Sequence, residues 1–167
     1  MDVFNRELNR LLVMAYRKIN KLEESILHSV SGTDLSISEM HLLEAVGDQK
    51  DAGIPLYELA QRMELSPPTV TVAINKLSKK GFVLKSKSEK DKRSVIVQLT
   101  RMGRKMNAAH RYFHEQMVHD IDKLLTPVER EGLLRGIELL NRFFQDALDE
   151  MELKKRRRRA QLQNESV

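Results

Sequence analysis

The sequence predicts a mainly α-helical fold, with six helices and one small β-hairpin between the fourth and fifth of them. Three observations lead to this fold class. Apolar residues recur every three or four positions over long stretches, helix-capping residues precede several of these stretches, and β-branched residues alternate in one short region. The chain of 167 residues is 41% hydrophobic and contains only seven glycines, so it can build a core with few breaks in its helices.

The first helix is predicted over about residues 2–29, because its apolar residues form one continuous stripe. This stripe consists of Phe4, Leu8, Leu11, Ala15, Ile19, Leu22 and Ile26. A single helix cannot bury such a stripe on its own, so the pattern predicts that this helix packs against another helix.

The second and third helices are predicted from local signals. Ser36 and Glu39 have the spacing of a capping box at the start of the second helix. Gly47 is predicted to end that helix in the left-handed conformation. A short third helix is predicted over residues 56–63, and Ile54 before it is a candidate for a brief strand.

The fourth helix and the hairpin follow directly. Ser66 is placed to cap the fourth helix, and Pro67 suits its first position, where no N–H is needed. Gly81 is predicted to close the helix. Residues 82–86 and 94–99 alternate like two strands that are joined by a polar turn.

The last two helices also begin at capping residues. Thr100 is predicted to cap the fifth helix, and Thr126 with Glu129 forms a second capping box for the sixth. The sixth helix is predicted to run to about Met151. Residues 154–167 form a charged tail without an apolar stripe and are predicted to be disordered.

Positive charge is concentrated in one part of the chain. Residues 67–105 contain eleven basic and only two acidic residues, a net charge of +9, whereas the whole chain carries +5. The tail adds a second basic run at residues 154–159. Such an uneven distribution points one face of the protein at a polyanion.

Two helices joined by a short turn and followed by a charged hairpin are typical of a winged helix-turn-helix, whose second helix enters the major groove of DNA. On the fourth helix, Asn75 is suited to an adenine edge, and Thr71 and Val72 are suited to thymine methyl groups. Lys76 and Lys79 are suited to phosphates.

The tip of the hairpin is the predicted wing. Lys90, Lys92 and Arg93 lie there, and an arginine at this place fits a narrow minor groove. Asp91 is a poor partner for phosphate, so its predicted role is to hold the turn or to orient Arg93. The complete set of predicted DNA-binding residues is Ser66, Pro68, Thr69, Thr71, Val72, Asn75, Lys76, Lys79, Lys90, Asp91, Lys92 and Arg93.

Several segments together resemble the MarR family of winged-helix repressors. They are Leu59-Ala60, Ser66 to Gly81, Asp91 to Ser94, Val97 to Thr100, and Gly103. The resemblance covers about residues 5–150. Lys92 departs from it, because many members carry arginine there, and lysine keeps the charge but weakens a bidentate contact.

The resemblance implies a homodimer that binds a pseudo-palindromic operator in double-stranded DNA. Residues 1–34 and 104–153 would form the helical dimerisation region, and residues 35–103 the winged helix-turn-helix DNA-binding domain. Residues 154–167 would be the basic disordered tail. A ligand cleft is implied between the DNA-binding lobe and the dimer base, and its candidate lining residues are His41, His110, Phe113, His114 and Met117.

Two effectors remain open for this cleft. The segments 36–41 and 110–118 resemble the subgroup of the family that represses fatty-acid-synthesis genes. This resemblance implies that the effector is an acyl chain on acyl carrier protein or another small apolar effector. The flexible side chains of methionines suit such a chain. The alternative is zinc. His110 and His114 lie four residues apart on one helical face, and Glu24 with His41 would complete four ligands. Paired helical histidines are also common as hydrogen-bonded interface residues.

Other classes of protein are disfavoured. The chain has no cysteine, a charged N-terminus unlike a signal peptide, and no apolar run near the roughly 20 residues that span a bilayer, so a cytoplasmic protein without membrane contact is expected. No catalytic motif is present, so we expect neither an enzyme nor a resident cofactor. The alternative from another class is a helical interaction module whose basic surface docks an acidic protein.

Overall fold

A computed structural model describes residues 2–31, 35–49, 52–88, 91 and 94–164. Within these ranges, six helices and a three-stranded sheet confirm the predicted fold class. The elements are α1 (Val3–Ser31), α2 (Ile37–Gly47), β1 (Ile54–Pro55), α3 (Leu56–Arg62), α4 (Pro67–Lys79), β2 (Val83–Lys87), β3 (Val95–Leu99), α5 (Arg101–Lys123) and α6 (Pro127–Asn164). The chain forms two compact units, residues 1–115 and 116–167.

The sheet of the first unit is antiparallel, with the strand order β1-β3-β2. β2 and β3 form the predicted hairpin, in register from the pair Val83 and Leu99 to the pair Lys87 and Val95. Each hairpin strand begins one residue later than the sequence predicted. β1 adds to the other edge of β3 through Ile54, which pairs with Val97, so the predicted brief strand is confirmed.

The core of the first unit lies between α2, α3, α4 and the sheet. The recognition-helix candidate α4 contributes Val70, Ile74 and Leu77, which lie on one helical face and are fully buried. Other fully buried side chains include Met40, Leu43, Val46, Ile54, Leu59, Phe82 and Val97. This packing holds one side of α4 against the unit and leaves its other side exposed.

The three helix caps that were predicted in the first unit have the expected hydrogen bonds. In the capping box of α2, the Ser36 amide donates to Glu39 Oε2 at 3.0 Å, and the Glu39 amide donates to Ser36 Oγ at 3.2 Å. Ser66 caps α4, with Pro67 at the first helical position. Thr100 Oγ1 accepts from the Gly103 amide at 3.0 Å, at the start of α5.

Two short helices end in the same left-handed turn, the Schellman motif. At the end of α4, Gly81 has φ +79°, and the Phe82 amide donates to the Leu77 carbonyl at 3.0 Å. At the end of α3 the left-handed position is Glu64, with φ +52°, and the Leu65 amide closes the turn. A residue with a Cβ is strained there, whereas glycine is not.

The prediction for Gly47 is wrong. Gly47 is the last helical residue of α2 and does not have a positive φ; Asp48 is the C-cap, in a right-handed conformation. The reason for glycine is space, because a Cβ here would come within 2.1 Å of Asn107 Nδ2 on α5. Gly47 therefore leaves room for the Asn107 side chain of α5.

The second unit contains the end of α5 and all of α6. The predicted capping box is present, with the Thr126 amide donating to Glu129 Oε2 at 2.8 Å. Arg130 Nε lies 2.8 Å from Asp122 Oδ1 and ties the two helices together at the turn.

The prediction of a disordered tail over 154–167 is wrong for the part that the structure describes, because α6 continues to Asn164. Lysine, arginine, alanine, glutamine and leucine favour helices, and neither glycine nor proline interrupts the segment. Two ion pairs at a spacing of four residues support it, Glu150 with Lys154 at 2.6 Å and Glu152 with Arg156 at 3.8 Å. Residues 165–167 lie outside the described part.

Candidate nucleic-acid interface and histidine cluster

The exposed side of α4 carries the residues that the sequence predicted for DNA binding. Thr71 is half-buried, and the others on the helix and its cap are exposed: Ser66, Pro68, Thr69, Val72, Asn75, Lys76 and Lys79. Their common face lies opposite the buried residues of α4. A helix with one packed and one bare polar side is what insertion into a major groove requires.

The N-terminus of α4 is held by a small network of hydroxyl groups. Ser66 Oγ accepts from the Thr69 amide at 3.3 Å and bonds Thr69 Oγ1 at 2.7 Å. Thr71 Oγ1 donates to the Pro67 carbonyl at 2.8 Å. The positive end of the helix dipole is therefore presented in a fixed position, which favours an anion such as a phosphate.

Asn75 is oriented by a lysine on the wing. Lys85 Nζ donates to Asn75 Oδ1 at 2.6 Å. An ammonium group can only donate, so this contact fixes which end of the amide faces the lysine, and it leaves the Nδ2 donors for another acceptor.

Lys85 was missed by the sequence reasoning, which assigned DNA contacts only to the wing tip and the helix. The strand alternation contains the signal, because Lys85 and Lys87 are two residues apart and lie on one face of the hairpin. Together with Thr71 and Asn75, they line a groove of about 230 Å³ between α4 and the wing. The groove joins the helix and the wing into one basic surface.

Of the predicted wing residues, the structure describes Asp91. Its carbonyl accepts from the Ser94 amide at 2.8 Å, and its amide donates to Ser88 Oγ at 3.4 Å. Both bonds are made by the backbone of Asp91 and hold the turn, and the role of its side chain stays a prediction. Lys90, Lys92 and Arg93 lie outside the described residues.

A second cluster joins α1, α2 and α5 in the first unit. Glu23, His41 and His110 offer ligand atoms that all lie within 4.8 Å of one another. His114 extends the cluster, with Nε2 lying 3.2 Å from His110 Nε2 and 3.4 Å from Glu23 Oε1. The structure thus brings together the three predicted histidines.

The carboxylate of this cluster is Glu23, whereas the sequence reasoning named Glu24. Glu23 is only 5% exposed and lies one turn before the buried Leu27, on the side of α1 that packs on the unit. Glu24 is exposed, about 100° further round the helix.

His110 is the most deeply buried member, with 2% of its surface exposed, and its Nδ1 has no hydrogen-bond partner among the described residues. Burial lowers the pKa of His110 below its usual value, and the charges of His114 and His41 act in the same direction against the opposing charge of Glu23. A neutral imidazole with an unused nitrogen can act as a metal ligand, and two imidazoles with one carboxylate suit zinc.

The other two predicted cleft residues lie further along α5. Phe113 and Met117 are half-buried, and the Phe113 ring lies 5.2 Å from the His114 ring. Met117 belongs to the second unit, so its place in a cleft stays a prediction.

The fold and the exposed face of α4 define a class, the winged helix-turn-helix DNA-binding proteins. The MarR family model matches residues 35–95 of the chain, which include α2, α3, α4 and the start of β3. The matched residues contain the helix-turn-helix formed by α3 and α4, and α4 contributes to the basic surface described above.

Relatives over most of the chain place it in one family. The HTH-type transcriptional regulator YfiV of Bacillus subtilis is 30% identical over 118 residues, which are 70% of this chain and 72% of that protein. The transcriptional regulator AdcR of Streptococcus pneumoniae is 30% identical over 139 residues, which are 81% of this chain and 91% of that protein. The chain therefore belongs to the MarR family and is a DNA-binding transcriptional regulator rather than an enzyme.

Solved structures agree with this assignment. FabT of Streptococcus pneumoniae, crystallised in complex with DNA, has a TM-score of 0.80 and 27% identity, over 85% of this chain and 98% of that chain. MepR of Staphylococcus aureus in its DNA complex shares the fold, with a TM-score of 0.66 at 18% identity, over 79% of this chain and 94% of that chain. Across the described ranges, no helix has the length and apolar character needed to cross a membrane.

Proposed function

We propose that this regulator is a homodimeric repressor that binds a pseudo-palindromic operator and controls fatty-acid-synthesis genes in response to an acyl chain. The observation that carries the DNA-reading part is α4, a capped helix with its apolar side buried and its polar side exposed beside the basic strand β2. In this proposal each α4 enters the major groove of one half-site, and each wing contacts the flanking minor groove.

The contacts divide into two kinds. Asn75, with its amide held by Lys85, reads a base edge together with Thr71 and Val72. The N-terminus of α4 and the ammonium groups of Lys76 and Lys79 hold phosphates and carry no base preference. The wing residues Lys90, Lys92 and Arg93 are proposed from their sequence positions.

The dimer is supported by apolar surface that a single chain leaves exposed. The stripe of α1 faces outwards in the first unit, and Phe4 is 71% exposed. In the second unit, α6 exposes a stripe of its own that includes Leu133, Ile137, Phe144 and Met151. Large apolar surface of this kind marks a protein interface, and a second copy of the chain would bury it.

The acyl effector is supported by the surroundings of the histidine cluster. Met40 precedes His41 and is fully buried, and Met106 is buried one turn before His110. Flexible, unbranched side chains suit an acyl chain. Met40 lies in segment 36–41, which together with segment 110–118 carries the resemblance to the fatty-acid subgroup. An effector between α1, α2 and α5 would favour one conformation of the dimer and so alter its affinity for the operator.

A second candidate is a metal-responsive regulator. The observation that favours it is the cluster of Glu23, His41 and His110. The buried Nδ1 of His110 makes no hydrogen bond among the described residues and lies 4.0 Å from Glu44 Oε2. In this candidate His114 is a fourth ligand or holds His110 in place.

Operator binding separates these candidates. The duplex upstream of the regulator's own gene is titrated with the protein by fluorescence anisotropy, with hexadecanoyl-coenzyme A or with zinc after chelation. The proposal predicts that the acyl compound changes operator affinity and that zinc does not. Stoichiometric zinc uptake that changes affinity, is lost in His110→Ala, and has no acyl counterpart would favour the metal candidate instead.

A further inference from the structure

A second positively charged groove lies on the side of the wing that faces away from α4. It has a volume of about 770 Å³, and its lining includes Leu84, Gln98, Arg101, Arg104, Asn107 and Arg111. Leu84 and Gln98 form a cross-strand pair, and side chains alternate between the two faces of a hairpin. This pair therefore lies opposite Lys85 and Lys87, and the groove is separate from the proposed DNA surface.

Three arginines follow one stripe of α5 along this groove. Arg101 and Arg111 are ten residues apart, which corresponds to about 15 Å along a helix. Arg104 Nη1 donates to the Leu99 carbonyl at 2.9 Å, and Arg111 Nε lies 4.0 Å from Glu115 Oε1. No ion pair joins Arg101 or Arg104 to a carboxylate, so two of the three charges are not neutralised by the residues that the structure describes.

The position of these charges is unfavourable for the helix itself. Arg101 and Arg104 lie in the first turns of α5, where the helix dipole is positive, and no acidic residue lies in the first turn. Charges that oppose the dipole do not stabilise the helix. An anionic ligand would relieve both the mutual repulsion of the arginines and their repulsion from the dipole.

The groove also presents apolar surface. Leu84 is 58% exposed, although it lies in the middle of a strand, and Leu99 and Ala108 are further lining residues. A single phosphate or carboxylate would leave this surface and most of the volume unused. Guanidinium groups spread over about 15 Å beside an exposed leucine fit an acidic amphipathic helix, whose carboxylates recur at each turn.

We propose that this groove docks an acidic amphipathic helix of a partner protein, and that the partner is the acyl-bearing carrier protein. This inference rests on the proposed acyl response. The docking stripe and the histidine cluster share α5, and His110 directly precedes Arg111. A carrier held by the arginines would therefore contact the same helix that carries the cluster.

The test uses the full chain and a double charge reversal, Arg101→Glu with Arg111→Glu, which spares the structural bond of Arg104. Lys105→Glu is the matched control, because this exposed lysine lies on the same helix and does not line the groove. Binding of hexadecanoyl-acyl carrier protein is measured by anisotropy at several salt concentrations. Thermal unfolding and light scattering establish that the variants fold and keep the oligomeric state of the wild type.

We expect the double variant to bind the carrier protein at least roughly tenfold more weakly, with a reduced salt dependence, and Lys105→Glu to bind almost as the wild type does. The double variant changes the net charge by four and Lys105→Glu changes it by two, so the loss of operator-binding free energy in the double variant should be no more than about twice the loss in the control. Equal carrier binding by all three proteins would overturn the docking site. So would a selective loss of operator affinity, which would make the groove a DNA surface, or a change to monomers, which would make it a dimer contact.

Failure of this inference is distinguishable from failure of the proposed function. If free hexadecanoyl-coenzyme A alters operator binding and the carrier protein does not bind, the acyl response stands and the docking site is wrong. If neither compound affects the wild-type protein, both are wrong.

Discussion

Asn75 is hydrogen-bonded to Lys85 in the free protein, and this bond determines which polar atoms of the amide stay available to a ligand. With Oδ1 facing the ammonium group, the Nδ2 donors stay available, and in the proposed complex they would meet a base acceptor. In the proposed function, Lys85 is therefore a positioning residue for base recognition and a candidate for phosphate contact.

We predict that Asn75→Ala lowers affinity for the operator by about 1–3 kcal/mol while affinity for a random duplex changes little. Lys85→Met should lower the affinity for the operator and for the random duplex, and the loss should be larger for the operator. The variant with both substitutions should lose less operator affinity than the sum of the two single losses, because each substitution alone already removes the contact between Lys85 and Asn75. Strictly additive losses in anisotropy titrations would show that Lys85 does not position Asn75.

Glu64 offers a separate test of backbone strain at the turn between α3 and α4. The left-handed conformation costs a residue with a Cβ about 1–2 kcal/mol, and glycine avoids this cost but loses about 0.5–1 kcal/mol of chain entropy. We predict that Glu64→Gly raises the free energy of unfolding by up to about 1 kcal/mol. Glu64→Ala, which keeps the strain, is the control, and equal stability of both variants in urea would contradict the explanation.

Single residues also show where sequence reasoning stopped. His110 and His114 were paired from their spacing, and His41 was added from the cleft that the resemblance implies. The choice between Glu23 and Glu24 depends on which side of α1 packs on the unit. The apolar stripe of α1 faces outwards, and Glu23 shares the buried side with Leu27. The sequence alone does not show which face of α1 packs on the rest of its unit.

Among the elements, α2 and α4 are joined by an ion pair. Lys80 Nζ, at the C-cap of α4, lies 2.7 Å from Glu39 Oε2 in the capping box of α2. Burial raises the pKa of Glu39, but the hydrogen bonds from Lys80 and the Ser36 amide outweigh it, so the pKa is lowered. The pair links the helix that carries His41 to the helix proposed to read DNA.

We predict that Lys80→Met lowers the free energy of unfolding by about 1–2 kcal/mol at neutral pH. The lowered pKa means that the ionised carboxylate stabilises the folded state above pH 4.5 and that this contribution is lost as the pH falls through the lowered value. The difference between wild type and variant should therefore shrink in acid. A double-mutant cycle with Glu39→Gln that shows no coupling would contradict the link.

The salt dependence of operator binding tests whether the basic end of α6 contacts DNA. Replacing Lys154 to Arg158 with glutamine keeps a helix-forming sequence and removes five charges. If this segment neutralises phosphates, the slope of log affinity against log salt should flatten by about 0.9 for each phosphate lost. An unchanged slope would leave the segment without a DNA role.

Element boundaries were predictable wherever capping residues set them, as at Ser36, Ser66, Thr100 and Thr126. Gly47 shows the limit of such signals. Glycine serves both for a left-handed turn and for close approach, and only the position of Asn107 on another helix distinguishes the two uses. The end of α6 was missed for a similar reason, because a highly charged segment is compatible with disorder and with an exposed helix.

For the whole molecule, the proposal requires two reading helices held at a fixed distance. In this proposal, the exposed stripe of α1 and the separate exposed stripe of α6 would form the dimer contacts, and the basic groove between α4 and the wing would contact DNA. The fold class was readable from periodicity, because helices and hairpin follow one another in an informative order. The spacing of apolar residues in one chain does not show how two copies of the chain pair.

Footprinting on the promoter of the regulator's own gene tests the central claim most directly, which is that a dimer reads DNA through the exposed face of α4. We predict two protected major-groove segments centred about 10 base pairs, or about 34 Å, apart on an imperfect palindrome, and loss of this pattern in Asn75→Ala. Uniform protection along the duplex, or a pattern that Asn75→Ala leaves intact, would contradict the account.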